Sequence, residues 1–448
     1  MEKTNKMATM PMGKLVLNMS LPLMFSLLVQ SLYNIVDGIY VARISEKALT
    51  ATSLAYPMQL LMIAFSVGTS VGLNALLSRN IGAKNYEEAG QIATTGFCLA
   101  LASTVVFMLI GAFAATPFAS AFTSDAETAL LCSQYLTICM LFCAGIFVET
   151  LAQRLLQATG NTMLSMVSLV VGAVTNIILD PILIFGLIGF PALGIRGAAI
   201  ATVIGQWLGA AVALLLNAFR NPEVKFVFRG FHFSGKRLLA IYQVGLPTIV
   251  MQAMGSIMIS AVNSILMPFS ATAVAFFGVY YKLQNFLIMP LQGLGQAAIP
   301  IVGFNYGAKN EKRILEMLRV MLPAAVVVML IGTALFCIFP AQLLQLFSAG
   351  EDMLAIGVPT LRIISITFAL TAVTTILGYS MSGLGDGLIN MLGTAIRQLI
   401  LLVPMLWLFS KLFGISHAWY AFWISEGVAA LYAALASRRG LKKRNILK

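Results

Sequence analysis

The stretch that decides the fold is the apolar run from Leu15 to Ala42, LVLNMSLPLMFSLLVQSLYNIVDGIYVA. A membrane-spanning helix needs about 20 mostly apolar residues, so this run is long enough to cross a bilayer. It nevertheless contains one carboxylate, Asp37. A charge at the centre of a membrane helix costs roughly 2.5–3.5 kcal/mol on insertion scales, so Asp37 is expected to face a cavity or a partner and to be functional. The alternative is that Asp37 lies near the helix end and reaches interfacial water.

The composition extends this interpretation to the whole chain. Of 448 residues, 59% are hydrophobic and only 10% are charged, and the mean hydropathy is +0.92. Soluble domains carry about 25% charged residues, and a β-barrel would show alternating segments of about ten residues. We therefore predict an all-α polytopic membrane protein with twelve transmembrane helices in two six-helix lobes. The predicted spans are 15–42, 50–78, 90–118, 128–158, 162–188, 194–219, 238–266, 272–303, 315–340, 352–382, 387–413 and 416–437.

The net charge of +12 is explained by where the basic residues lie. They concentrate at both termini and in the loops after spans 2, 6 and 8, which all fall on one side of a twelve-span chain. The opposite loops are poorer in Lys and Arg, and residues 119–127 and 341–351 contain none. The positive-inside rule then predicts that both termini are cytoplasmic, and a nucleic-acid partner is not needed to explain the charge.

The chain repeats itself at an offset of 225 residues. Ser20-Leu21-Pro22 recurs as Gly245-Leu246-Pro247, Gly82-Ala83-Lys84-Asn85 as Gly307-Ala308-Lys309-Asn310, and Gly160-Asn161 as Gly385-Asp386. Six spans per repeat give both halves the same orientation, which makes a parallel repeat. We predict an N-terminal lobe at 1–220, a cytoplasmic linker at 221–236 and a C-terminal lobe with a basic tail at 237–448. Two such lobes are typical of alternating-access transporters.

The two halves differ in their deep carboxylates. Asp37 corresponds to Val262, and Asp180 also lacks an acidic counterpart, which indicates a cation site in the N-terminal lobe. Asn176 lies four residues before Asp180 on one helix face, and Thr202 on span 6 offers a hydroxyl. Oxygen ligands of these kinds suit a hard cation such as Na⁺, whereas two desolvated, mutually repelling carboxylates could instead carry a proton. The remaining alternative is a set of structural hydrogen bonds between helices.

Further polar residues inside the spans are candidates for substrate contact or gating. They are Tyr33, Asn34 and Tyr40 beside Asp37, then Glu149, Arg154, Lys282, Arg397 and Glu426. For the charged residues we favour buried pairs that fix geometry, with Glu426 pairing to Lys282 or Arg397. The five cysteines all fall in apolar windows, and no set of residues with the spacing of a structural metal site is visible, so no cofactor is expected other than a coupling H⁺ or Na⁺.

The chain resembles the multidrug and toxic compound extrusion (MATE) family over nearly its whole length. The resemblance rests on the repeat, on Asp37-Gly38 followed by Tyr40-Val41-Ala42, and on the Gly-Ala-Lys-Asn loop in both halves. It also rests on Gln157-Ala158-Thr159-Gly160-Asn161 and on Asn176 with Asp180-Pro181, followed by Gly197-Ala198-Ala199 and Ala201-Thr202.

The resemblance implies a prokaryotic inner-membrane antiporter that exports organic, often cationic, amphiphilic drugs against an inward flow of protons or sodium ions. In the DinF-like branch the cation site lies in the N-terminal lobe, and the matching positions here are Asp37, Asn176, Asp180 and Thr202, with Ala198 offering a carbonyl. The NorM-like branch places acids in the second half, and spans 7, 8 and 10 here have no deep acid. A monomer without a nucleic-acid partner is expected.

Two other functional classes fit the sequence less well. A lipid-linked precursor flippase of related architecture would need a strongly basic cavity, whereas the predicted cavity here carries acids. A membrane enzyme would need a nucleophile or metal-ligand constellation, and His232 and His417, the only histidines, both lie near loops.

Overall fold

The computed structural model describes residues 5–447, and within that range the chain is helical with no β-strand. The helices of the first half are α1 (Lys6–Thr9), α2 (Met12–Ala42), α3 (Glu46–Gly82), α4 (Tyr86–Phe122), α5 (Ala126–Leu141), α6 (Ala144–Ala158), α7 (Thr162–Phe185) and α8 (Ile195–Arg220). Those of the second half are α9 (Gly235–Leu266), α10 (Ala271–Gly307), α11 (Glu311–Ile338), α12 (Pro340–Gln345), α13 (Glu351–Ser365), α14 (Phe368–Gly383), α15 (Gly387–Ala395), α16 (Leu402–Phe413), α17 (Ile415–Ala418) and α18 (Ala421–Lys443).

These helices confirm the twelve predicted spans. In the described residues nine helices are long and apolar enough to cross a membrane by themselves, counting α15 and α16 as one. The pairs α5–α6 and α13–α14, each bent by 48°, bring the number to eleven. The last predicted span corresponds to α18, whose final turns carry Lys and Arg.

Helices α3 and α4 begin earlier than the apolar windows predicted because polar caps lie outside those windows. The hydroxyl of Ser45 accepts a hydrogen bond from the Ala48 N–H and starts α3, and the Asn85 side chain does the same for Glu88 and α4. Such caps satisfy backbone donors that no helical carbonyl can reach. A window that scores hydropathy cannot detect these polar first turns.

The Gly-Ala-Lys-Asn repeat is a helix–turn–helix joint built twice. Lys84 and Lys309 both have a left-handed backbone, with φ of 57° and 54°. In each copy the Asn N–H donates back to the preceding helix, Asn85 to the Asn80 carbonyl and Asn310 to the Asn305 carbonyl, both at 2.9 Å. The motif therefore recurs because both copies form the same turn.

The chain forms two compact units, and the first halves of α2 and α9 belong to a different unit from their second halves. One unit contains residues 25–245, and the other contains residues 5–24 together with 246–447. The boundaries fall inside α2, between Met24 and Phe25, and inside α9, between Gly245 and Leu246, so each of these helices contributes to both units. The bounds predicted from the sequence, 1–220 and 237–448, follow the repeat along the chain, whereas these units follow contact in space.

Contacts with buried backbone hold the N-terminal segment in the second unit. Met7 is fully buried, and its carbonyl accepts a hydrogen bond from the Asn305 amide at 3.5 Å. Arg313 donates to the Met10 carbonyl at 2.7 Å. The short helix α1 is thereby fixed against α10 and α11 of the same unit.

Candidate functional site

The site is positioned by a close antiparallel crossing of α7 and α8. A Cβ added to Gly172 would lie 2.9 Å from the Gly205 carbonyl oxygen, and one added to Gly205 would lie 2.7 Å from the Gly172 oxygen. Farther along, a Cβ on Gly197 would lie 2.5 Å from the Leu183 oxygen. Only glycine permits backbones to approach this closely, and the approach brings the polar residues between these contacts within hydrogen-bond distance.

Asn176 bridges the two helices in this crossing. In the amide orientation that satisfies both ends, its nitrogen donates to Asp180 Oδ2 at 3.0 Å. Its oxygen accepts from the Thr202 N–H at 3.1 Å and from the Thr202 hydroxyl at 3.3 Å. All three side chains are at least nine-tenths buried. The predicted neighbours Asn176, Asp180 and Thr202 are therefore brought together.

Asp37 completes the group from α2. Its carboxyl lies close enough to the carboxyl of Asp180 for the two groups to interact directly. Two carboxyl groups can make that contact only when they share a proton or when a cation offsets their charge. The other oxygen of Asp37, Oδ1, is buried and has no hydrogen-bond partner among residues 5–447. The pair therefore requires one positive charge that the described side chains do not supply.

The donor set fits either of two cations. Asp37 Oδ1 is an orphaned acceptor, and Thr202 belongs to the same cavity wall as Asp37. Carboxylate and hydroxyl oxygens are ligands that suit Na⁺. However, the Asn176 oxygen faces Thr202 and its nitrogen faces Asp180, so this amide would have to turn before its oxygen could bind a metal. The arrangement as described suits a proton shared between carboxyls.

A cavity of about 700 Å³ opens beside this pair within the first unit. Asp37, Asn176 and Thr202 form part of its wall, and Glu149 adds a second carboxylate. Among the described residues that line it, none is Lys or Arg. Its other polar residues include Gln30, Tyr33, Asn34, Tyr56, Gln59, Tyr135, Gln153 and Gln206. The cavity is acidic, rich in amides and aromatic hydroxyls, and of a size that suits a small organic molecule.

Glu149 occupies space that two glycines leave open. A Cβ on Gly209 would lie 2.3 Å from its Oε1, and one on Gly172 would lie 3.4 Å from the same atom. Gln153, one turn along α6, donates to Oε1 at 3.1 Å. No basic side chain lies within ion-pair distance of Glu149 in the described part of the chain. The buried pair that we favoured for this residue is therefore wrong.

The remaining candidates of the first unit lie in different environments. Tyr33 and Asn34 line the cavity, whereas Tyr40 packs edge-on against Phe185 with ring centroids 6.3 Å apart. Ala198 is fully buried one turn before Thr202 on α8. Arg154 is buried and donates to Gln157 Oε1 at 2.7 Å.

In the second unit the predicted charge pair is present. Arg397 lies in a π-helical turn between α15 and α16 and contacts Glu426 of α18, with Nη1 and Oε1 3.7 Å apart. Arg397 Nε and Glu426 Oε2 are buried, and neither has a partner among residues 5–447. Lys282 is exposed and lies 6.0 Å above the Phe347 ring, so Arg397 is the partner of Glu426.

Sequence reasoning missed the amides of the cavity wall. Gln153 lies one helical turn after Glu149, a spacing that could have indicated a shared face. Gln59 and Gln206 come from other helices, and no local pattern connects them with Asp37. Only the packing of α3, α6 and α8 brings these residues to one wall.

Comparison with known proteins agrees with the fold and with the repeat. The family model described as MatE matches residues 22–182 and 247–408, and the two matches begin 225 residues apart, at Pro22 and Pro247. The multidrug export protein MepA of Staphylococcus aureus (strain bovine RF122 / ET3-1) is 25% identical over 436 residues, covering 95% of this chain and 93% of that protein.

Two solved structures show the same architecture. One is a multidrug resistance MATE family transporter of the MOP superfamily in an outward-facing conformation, with a TM-score of 0.91, 25% identity and 99% of both chains covered. The other is a MOP superfamily transporter from Pyrococcus furiosus Vc1 (DSM3638), described as having a binding pocket of reversed polarity that suggests a different function; it has a TM-score of 0.90, 25% identity and 99% coverage of both chains. Because the family model matches well over half of its residues, one match in each half, this chain belongs to the MatE family of membrane transporters.

Proposed function

We propose that this protein is a secondary active antiporter that exports organic, often cationic, amphiphilic compounds in exchange for protons or sodium ions by alternating access. The observation that carries the proposal is the cavity of the first unit, which has two carboxylates and no basic side chain among the described residues of its wall. Its tyrosines and amides offer stacking and hydrogen bonds to ligands of varied shape. The multidrug export proteins similar to this chain support the same substrate class.

The Asp37–Asp180 pair supplies the coupling in this proposal. A bound proton or sodium ion offsets one of the two negative charges of the carboxylates. With the cation bound, the pair carries a single negative charge, Asp180 keeps its hydrogen bond from Asn176 and α2 stays close to α7. When the pair carries an extra negative charge, Asp37 repels Asp180 across the same contact and the cavity favours a cationic substrate. Substrate and coupling cation then compete for the same negative charge, as antiport requires.

The cellular location and the oligomeric state are part of the same proposal. Apolar helices throughout the chain make this a multi-pass membrane protein, and we infer a prokaryotic inner membrane with both termini in the cytoplasm. We further infer a monomer of the DinF-like branch without catalytic activity or a nucleic-acid partner. An acidic cavity disfavours anionic lipid-linked precursors.

Transport with each ion gradient imposed separately tests the coupling. Liposomes that contain the purified protein are loaded with ethidium, and efflux of the dye is followed by fluorescence. One experiment imposes a pH gradient without sodium, and the other imposes a sodium gradient at constant pH. We expect the pH gradient to drive efflux, because the Asp37–Asp180 contact accommodates a shared proton without turning the Asn176 amide. Efflux driven by sodium alone would reassign the ion, and efflux unaffected by either gradient would refute antiport.

Replacing Glu149 tests the site of substrate binding. Glu149→Gln keeps the shape and the neighbour Gln153 but removes one charge from the cavity. We expect affinity for a cationic dye to fall about tenfold, the effect of losing roughly 1.4 kcal/mol of charge contact. A neutral amphiphile of similar size should bind with little change. Equal losses for both ligands would show that Glu149 acts through packing instead of charge.

A further inference from the structure

The segment between α8 and α9 is held in a defined extended path against α4. The Val227 N–H donates to the Thr94 hydroxyl at 2.9 Å, and the Gln91 side chain donates to the Gly230 carbonyl at 3.0 Å and accepts from the His232 N–H at 3.2 Å. A Cβ on Gly90 would lie 2.8 Å from the Lys225 carbonyl oxygen, so the linker lies directly on the helix. These contacts fix which side chains face outward.

Two kinds of side chain face outward from this linker (residues 221–236). Phe228 is 68% exposed and Phe233 is 65% exposed, and Phe228 stacks on Phe226, with ring centroids 6.0 Å apart. The basic residues Lys225, Arg229 and Lys236 are also exposed. Arg237 is different, because its guanidinium is bound by the protein itself. Nε and Nη2 donate to the Glu88 carboxylate at 2.6 and 3.0 Å, and Nη1 donates to the His232 carbonyl at 2.6 Å. The linker therefore exposes three cations and two aromatic rings.

The depth of this linker follows from the length of α4. Its 37 residues would span about 55 Å at about 1.5 Å per residue, whereas a bilayer core is about 30 Å thick. If the excess is shared between both ends, roughly eight residues at each end lie outside the hydrocarbon. Thr94 is eight residues after Tyr86, so the linker crosses α4 at the boundary between headgroups and acyl chains. Aromatic rings are enriched at that depth, and basic side chains there attract anionic lipids.

We propose that Lys225, Arg229 and Lys236, flanked by Phe228 and Phe233, form a binding site for the anionic headgroup of a phospholipid at the end of α4. The rings enter the acyl-chain boundary while the cations reach the phosphate layer. The site is separate from the transport cavity, since none of its residues lines that cavity. The lipid would stabilise the linker on α4.

Lipid titration of the purified full-length protein tests this proposal. Phosphatidylglycerol and phosphatidylcholine with the same acyl chains are added to the protein in detergent, and lipid adducts are counted by native mass spectrometry alongside thermal melting. We expect phosphatidylglycerol to bind and to raise the melting temperature more than phosphatidylcholine. Inorganic phosphate at the same concentration should have no such effect, because it cannot use the aromatic rings.

The matched variants compare two sets of three basic residues. Each basic residue near an anionic surface adds about fivefold in affinity, so K225Q/R229Q/K236Q should lose on the order of a hundredfold for phosphatidylglycerol. The exposed tail variant R438Q/R439Q/K442Q should keep the wild-type affinity. An equal loss in both variants, or equal binding of both lipids by the wild type, would overturn the proposal. Should the triple variant fail to fold, a wild-type affinity that is unchanged between low and high salt would overturn it equally well.

Discussion

Asp37→Asn should reduce gradient-driven export to the level of liposomes without protein. The amide has the size of the carboxyl but carries no charge and releases no proton, so Asp180 loses the second carboxyl with which it would share a proton or sodium ion. Substrate binding at equilibrium should remain measurable, because Glu149 and the amide-rich wall are untouched. The measurement is ethidium efflux from liposomes under a pH gradient, with dye binding determined in detergent.

An exposed acid of the same unit provides the control. The Asp125 carboxylate accepts hydrogen bonds from the Thr128 hydroxyl and N–H, which hold the pKa of Asp125 below its ordinary value and keep it charged at neutral pH. Asp125→Asn should leave efflux unchanged. Wild-type efflux by Asp37→Asn would remove this carboxyl from the mechanism, whereas loss of dye binding together with efflux would show that Asp37 acts on the substrate directly.

The second large effect is expected on stability, at the buried pair of the second unit. Glu426→Leu leaves the Arg397 guanidinium without its partner, and that side chain is only 17% exposed. Removing one member of a buried pair typically costs about 3–5 kcal/mol. Removing both charges with apolar residues of similar volume is often neutral. The variant Arg397→Met with Glu426→Leu should therefore melt close to the wild type, and Glu426→Leu alone should melt many degrees lower.

The control for this cycle is a pair at the surface. Lys47 lies 2.6 Å from Glu127, and both side chains are about half exposed or more. Exposed pairs contribute about 0–1 kcal/mol, so Lys47→Met should hardly change the melting temperature in the same detergent. A double variant as unstable as Glu426→Leu would show that the two residues act separately, with Glu426 bound to other groups.

Much of the fold could be read from the sequence because membrane helices are specified locally. Every predicted span corresponds to a helix or a bent pair of helices, since a bilayer requires long apolar segments with internally satisfied backbones. The 225-residue offset reappears in the paired turns at Lys84 and Lys309. The bends between α5 and α6 and between α13 and α14 were not predicted. The sequence has no proline or glycine signal that is common to the two positions.

The candidate site was predicted only in part. The sequence identified Asp37, Asn176, Asp180 and Thr202, since polar residues are rare in apolar spans and helical spacing shows which of them share a face. It could not show that the Asn176 amide turns its nitrogen to Asp180, or that Glu149 lies unpaired against Gly209.

The sequence by itself therefore determined the membrane class, the helices, the repeat and the few polar residues within the apolar spans, all of which depend on composition and periodicity along one segment. Only the tertiary structure decided which carboxylates meet, which stand alone and which charge Glu426 contacts. Those outcomes depend on how close α7 and α8 approach and on the π-helical turn that aims Arg397. Helix crossing distances are set by small residues on several helices at once, so no single segment of the chain encodes them.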